Sequence, residues 1–439
     1  MAVGEAEHRA ALPPGGPSRV RRADYLRRYS VLALAALCGP GLIVMLADTD
    51  AGSVITAAQS GARWGYGMIL PQLLLVPVLY VVQEMTLRLG ILTRRGHGAL
   101  IRDCFGPWWA LLSAGTLFLS SVGALITEFA AVAGVGEMFG VSRWVTIPIA
   151  TAFLIGLSLV GSYRRAERVG IAIGLAELAF IPAMLMSHPS LTQVAHGALT
   201  PPAGNSGYLY LLAANVGAVI MPWMIFYQQG AVIDRGFEPA QMRGQRRATA
   251  VGALVTQVIM IAVIMILAAT VGRSAAGGSG GSSLNSVGEI SSVLTPFLGT
   301  TGAKVLFGAG ILGAALVAAL VSSLAGAWGL AEIFGWRHTL NERPSRRTAG
   351  FYVAYAFAHV AGAVLVLASV DLVSLAVDAE VMNALLLPVV LGFLLALERK
   401  ALPPESRMRG ARKWTAWGLC LVTMAFGLYM IPSLLGLTG

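Results

Sequence analysis

From about residue 30 onward, apolar stretches of twenty or more residues recur, separated by short polar, charged or Gly/Pro-rich breaks. A run of about 20 apolar residues is what a helix needs to cross the hydrocarbon core of a bilayer. The pattern predicts eleven such spans, near 30–60, 65–92, 107–139, 144–162, 168–187, 207–233, 248–272, 301–334, 349–369, 371–397 and 413–437. The expected architecture is therefore all-α and integral to a membrane, with the lipid bilayer as its constant partner.

Composition agrees. Only 12% of residues are charged and mean hydropathy is +0.73, whereas a soluble domain carries about 25% charged residues. The net charge of +10 would suggest nucleic acid in a soluble protein; here its position along the chain gives it another meaning, and no nucleic-acid partner is expected. With the N-terminus in the cytoplasm, alternate loops hold 27 of the 31 Lys and Arg, and the opposite side holds Arg63, Arg143, Arg273 and Lys304. That split follows the positive-inside rule and places the C-terminus outside the cytoplasm. The plasma (inner) membrane is the expected location. Residues 1–29 read as a disordered basic cytoplasmic tail, lacking the apolar core and cleavage site of a signal peptide. Cys38, Cys104 and Cys420 are too few and too scattered for a disulfide or metal framework. The longest polar loop, "GRSAAGGSGGSSLNS", reads as flexible and lacks the Lys-Ser/Thr ending of a phosphate-binding loop.

Two spans are interrupted in matching places. Span one contains "GPGLIVMLADTDAGS" and span six contains "NVGAVIMPWMIFYQQG", each combining Gly or Pro with polar groups. If residues 30–187 and 207–397 are two five-helix halves, these are the first helix of each half. An odd number of spans per half inverts the second relative to the first, and 413–437 is left as a peripheral eleventh helix. Broken helices at corresponding positions point to the binding site of an inverted-repeat transporter.

Asp48 and Asp50 lie at the first break. A charge at the bilayer centre costs about 2.5–3.5 kcal/mol even on insertion scales, and no Lys or Arg stands in the matching region of any span. A cation or water at the break would offset that cost, and carboxylate, hydroxyl and carbonyl oxygens suit hard divalent cations. A structural acid capping a half-helix is the plainer alternative.

At these residues the chain resembles the natural resistance-associated macrophage protein (Nramp) family of divalent metal transporters. "GPGLIVMLADTDAGS" lines up with the family's first helix, where Gly-Pro-Gly precedes Asp-Pro-Gly-Asn; "GAVIMPW" lines up with Ala-x-x-Met-Pro-His of its sixth, and "VQEMTLRLGI" fits the end of its second. The resemblance implies a LeuT-type fold with metal held between the breaks of helices 1 and 6. It implies Asp50 as the metal-binding aspartate, Met221 as a thioether ligand, and Ala47 and Ala218 as carbonyl donors. Departures matter as much. Ala51 and Ser53 replace the family's Pro and Asn, Asp48 is an added acid, and Trp223 replaces the His. Glu128 keeps the first acid of span three while Ala131 replaces the second, and Glu380 aligns with a glutamine of span ten.

Trp223 and Ala131 remove titratable steps of the family's proton route, and Asp48 with Ser53 makes a wider, more acidic site. The pattern looks like the Nramp-related magnesium transporters. The expected function is alternating-access transport of Mg²⁺, with Mn²⁺ also accepted and without proton coupling; Met221 pulls toward softer metals. The alternatives are a proton-coupled Mn²⁺/Fe²⁺ transporter and a Na⁺-coupled amino-acid transporter of the same fold. No catalytic motif lies within a span and no cofactor is expected, so an enzyme is not; a monomer is. Gln228 and Gln229 follow the second break as candidates for the ion pathway, with Glu128 and Trp223. Glu84, Glu137, Glu177, Glu332, Asp371 and Asp378 are read as lying at span ends or rims, His359 as a packing residue, and Trp108, Trp109, Trp144, Trp336 and Trp414 as an aromatic belt.

Overall fold

The structure, a computed structural model, describes residues 47–160, 163–272, 283–336, 345–346 and 348–434. The chain divides into a short leading unit, residues 1–37, and a body, residues 38–439. The predicted tail, the first part of span one and most of the "GRSAAGGSGGSSLNS" loop lie outside the described residues.

The described residues are helical, with no strand among them. The first half comprises α1 (Ala51–Trp64), α2 (Ile69–Thr93), α3 (His97–Phe105), α4 (Pro107–Met138), α5 (Arg143–Val160), α6 (Tyr163–Gly174) and α7 (Phe180–Met186). A short α8 (Leu191–Leu199) precedes the second half: α9 (Ser206–Val219), α10 (Pro222–Asp234), α11 (Met242–Thr270), α12 (Val287–Ser292), α13 (Thr295–Phe334), α14 (Ala349–Ala368) and α15 (Leu372–Lys400). Helix α16 (Gly410–Leu434) follows, packed on α15.

Nine helical stretches among the described residues are long and apolar enough to cross a membrane. One of them, Ala51–Thr93, joins the described part of span one to span two through a 3₁₀ turn at Gly65–Met68. The helix of span four is apolar but shorter, Arg143–Leu159. Helices α3, α8 and α12 were not anticipated: each is at most nine residues long, too short for a periodic pattern to stand out.

The placements of Arg88 and Glu84 differ from the sequence reading. Arg88, counted with a basic loop, lies inside α2, buried in an ion cluster with Glu84 and Glu398. Glu84 is also paired there, with Arg246 at 2.7 Å and with Arg412. Trp336 stacks on Phe334 and packs against Gly350 just past a helix end, and Trp108, Trp109, Trp144 and Trp414 are exposed near helix ends. Other rim acids are structural. Asp371 caps α15 through the Val373 and Ser374 N–H groups, and Glu332 accepts the Gly98 and Ala99 N–H groups at the start of α3. His359 is buried with its Nδ1 on the Tyr355 carbonyl oxygen at 2.9 Å.

Candidate metal centre

The first break is visible in the backbone. Ala47 and Asp48 are helical, Thr49 and Asp50 are not, and α1 restarts at Ala51. Asp50 is extended (φ −75°, ψ 174°), and its Oδ1 accepts the Ser53 N–H at 2.7 Å. It thus caps α1 with one oxygen. In the second break α9 ends at Val219, Ile220 and Met221 leave helical geometry (φ −126°, ψ 71°; φ −75°, ψ 132°), and Pro222 opens α10. Proline suits that first position, where its missing N–H would have no helical partner anyway.

Hydrogen bonds tie the two broken helices together. Ser53 Oγ donates to the Ala218 carbonyl oxygen at 3.2 Å, and Asn215 Nδ2 donates to Ser60 Oγ at 2.7 Å. Two glycines allow α15 and α4 to close around them. A Cβ on Gly52 would overlap Glu380 Oε1 and the Thr127 side chain, and one on Gly217 would overlap the Glu380 backbone oxygen.

Five carboxyl side chains converge on the region, all buried: Asp48, Asp50, Glu128, Glu177 and Glu380. Glu128, on α4, accepts from the Thr127 hydroxyl at 3.3 Å and lies against the Ala51 N–H and the Asp50 carboxyl. Two carboxyl groups in such contact require a proton or cation between them. Glu380 Oε2 accepts from Asn383 Nδ2 at 3.0 Å, and Asn383 Oδ1 in turn accepts from Ser120 Oγ at 2.8 Å. Glu177 accepts from the Thr49 hydroxyl and lines, with Thr49, Gly170, Gly174 and Ala314, a cavity of about 20 Å³. That is room for one water.

Several oxygens in this cluster have no hydrogen-bond partner: both of Asp48, Oδ2 of Asp50, Oε2 of Glu128, Oε1 of Glu177 and Oε1 of Glu380. None of the ion pairs among the described residues involves any of these acids. Buried polar groups are normally satisfied, so such a concentration marks a place built to receive something. Among the described residues, no three His, Cys, Asp or Glu side chains form a ready-made metal cage. Any ion held here would draw on hydroxyl and backbone oxygens as well as carboxylates.

The structure brings Asp48, Asp50, Ser53, Ala218, Glu128 and Glu380 near one another. Ala47 packs in one apolar cluster with Met221 and Trp223. Met221 Sδ accepts a hydrogen bond from Trp223 Nε1 at 3.1 Å. Gln228 and Gln229 lie further along α10 and fasten it to neighbours. Gln228 Nε2 donates to the Gln83 carbonyl, Gln229 Nε2 to the Arg95 carbonyl, and Gln229 Oε1 meets His97 Nδ1 at 2.9 Å. Glu177 was read as a rim residue. Its position halfway along 168–187, with no charge flanking it, was the signal for a buried role.

Two broken helices meeting at a buried, oxygen-rich point inside an apolar bundle define a membrane transporter of the LeuT type. The solved structures similar to the chain are of that kind. One is an Eremococcus coleocola manganese transporter (TM-score 0.72, 17% identity, covering 96% of this chain and 89% of that one). Another is Mhp1, a nucleobase-cation-symport-1 family transporter (TM-score 0.57, 14% identity, covering 90% and 91%). Among curated relatives, the divalent metal cation transporter MntH 1 of Pseudomonas aeruginosa is 29% identical over 309 residues, 67% of this chain and 68% of that protein. The family model for natural resistance-associated macrophage protein-like chains matches residues 41–433, and the chain belongs to that family. Its members are metal transporters and not enzymes.

Proposed function

We propose that the protein carries divalent metal cations across the membrane, Mg²⁺ foremost and Mn²⁺ as a competing substrate, by alternating access and without proton coupling. The observation that carries this reading is the set of buried, unpartnered oxygens on Asp48 and Asp50 at the break of the first helix. Asp50 is the central ligand. Asp48, the Ser53 hydroxyl and the carbonyls of Ala47 and Ala218 complete the cavity, and Glu380 shapes its wall. The relatives named as divalent metal cation and manganese transporters support metal as the cargo.

Hardness favours Mg²⁺. It prefers oxygen and keeps several waters near carboxylates, and an added acid at 48 with the short Ser53 leaves space and charge for a hydrated ion. Trp223 and Ala131 offer no titratable group where protons would be handed on. The contact between Asp50 and Glu128 favours the second reading, proton-coupled Mn²⁺ or Fe²⁺ transport, because one proton between them would leave as metal enters. The basic loops support a cytoplasmic N-terminus and suit the plasma membrane.

Proteoliposomes with an internal magnesium dye and an internal pH dye separate the two readings. Magnesium entry with unchanged internal pH is the expected result. Proton flux tied to metal flux, with no magnesium entry, would overturn it.

A further inference from the structure

We propose that Trp223 sets the selectivity of the metal centre by holding the Met221 sulfur in a hydrogen bond, so that this thioether packs instead of ligating. The inference deepens the proposed function and rests on the centre being where Asp50 places it.

Trp223 and Met221 are fully buried, at 0% exposure. The indole has one polar atom, and that N–H reaches Met221 Sδ at 3.1 Å. A buried indole N–H is normally partnered, and Trp has no acceptor to offer in exchange. Position makes the pair durable. Met221 is the extended residue before α10, Pro222 fixes the backbone between the two, and Trp223 is already helical. The donor and the sulfur are thus held two residues apart across the helix start.

Thioether sulfur binds metal through its lone pairs, and Met221 is the one soft donor among the candidate residues at the two breaks. An ion taking the Met221 sulfur must compete with the indole N–H and leave that donor stranded. A hard ion is indifferent, because its oxygen ligands lie elsewhere. Soft ions lose what Met221 would have given them. Trp223 is thus a specificity-determining residue that discriminates by withholding a contact.

The test compares Cd²⁺, a soft probe, with Mg²⁺ by calorimetry on the purified full chain, its Met221→Leu and Trp223→Phe variants, and the double variant. Met221→Leu should change the Cd²⁺ to Mg²⁺ affinity ratio by less than about twofold. Trp223→Phe should raise it roughly tenfold, and the double variant should return it to the starting value. An unchanged ratio in Trp223→Phe, a gain that survives in the double variant, or a tenfold fall in Met221→Leu alone would each overturn the proposal. X-ray absorption at the Cd edge of the natural chain gives an answer that needs no variant to fold. Oxygen scatterers alone support the proposal, and a sulfur scatterer lost in Met221→Leu overturns it. Asp50→Ala, run in parallel, keeps the two claims apart. Undiminished Mg²⁺ binding in that variant would move the centre itself, whatever the ratios.

Discussion

Two regions of the bundle bury charge, and they do so in opposite ways. At the end carrying the basic loops, Glu84, Arg88 and Glu398 are almost inaccessible and interlock with Arg246 and Arg412. Arg88 Nη2 reaches Glu398 Oε1 at 3.3 Å, the same oxygen accepts the Met408 N–H at 2.6 Å, and the Arg88 Nη1 donates to the Ser406 carbonyl at 3.0 Å. At the helix breaks, acids of equal burial meet no basic side chain among the described residues, only other acids, hydroxyls, backbone and the Asn383 amide, and half a dozen of their oxygens have no hydrogen-bond partner. Opposite charges that satisfy each other hold helices together. Like charges left unsatisfied hold a place for an ion that comes and goes.

The comparison can be broken from either end. The largest effect is expected at the paired cluster: Glu398→Ala takes from the buried Arg88 its nearer carboxylate, and removing one partner of a buried pair costs about 3–5 kcal/mol. Thermal unfolding in detergent should show that loss, while Mg²⁺ affinity of the folded fraction stays within about twofold of its starting value. Asp50→Ala should do the reverse, weakening metal binding by more than about a hundredfold, near 2.7 kcal/mol, while its melting temperature falls less than that of Glu398→Ala, by what the lost α1 cap is worth, about 1 kcal/mol. A metal affinity that follows Glu398 and ignores Asp50 would erase the distinction between the regions.

A finer test lies within the centre. Ser53→Asn lengthens the side chain that now donates to the Ala218 carbonyl. It should move preference toward Mn²⁺ over Mg²⁺ by roughly fivefold, about 1 kcal/mol, in competition calorimetry.

The smallest effect concerns His97, a third kind of buried titratable group, lying between membrane spans at the start of α3. Burial pushes its imidazole down to about 4 from an ordinary 6.5, against the pull of the Gln229 hydrogen bond. A group lowered on folding stabilises above its unfolded value and loses that contribution as pH falls through the folded one. The melting temperature should therefore decline between pH 6.5 and pH 4 more steeply than in His97→Asn. Parallel curves for the two proteins would show that His97 is not the cause.

Much of this was legible before any coordinates. Span positions followed from hydropathy, and the pair of breaks from Gly, Pro and acids in corresponding runs. Asp48 and Asp50 stood out because polar groups in a long apolar run have no cheap solvent, and the family resemblance added Ser53 and Glu128. Three things were hidden. Glu177 sits in a 3₁₀ turn, Leu175–Ala179, and meets Thr49 of the first break, a pairing across more than a hundred residues that no local pattern shows. The Arg88 cluster draws partners from more than 300 positions away in the chain, beyond the reach of any local pattern. The Trp223 to Met221 bond is local in sequence, yet its existence depends on a rotamer set by packing.

The amino-acid order by itself determined what must be inside lipid and where the helices must fail, because both are decided residue by residue against the solvent: apolar area and backbone hydrogen bonding. Which buried charges are answered and which are left open was decided by the tertiary structure alone. Satisfaction is a matter of a few ångströms between side chains on different helices, and only the assembled bundle sets those distances.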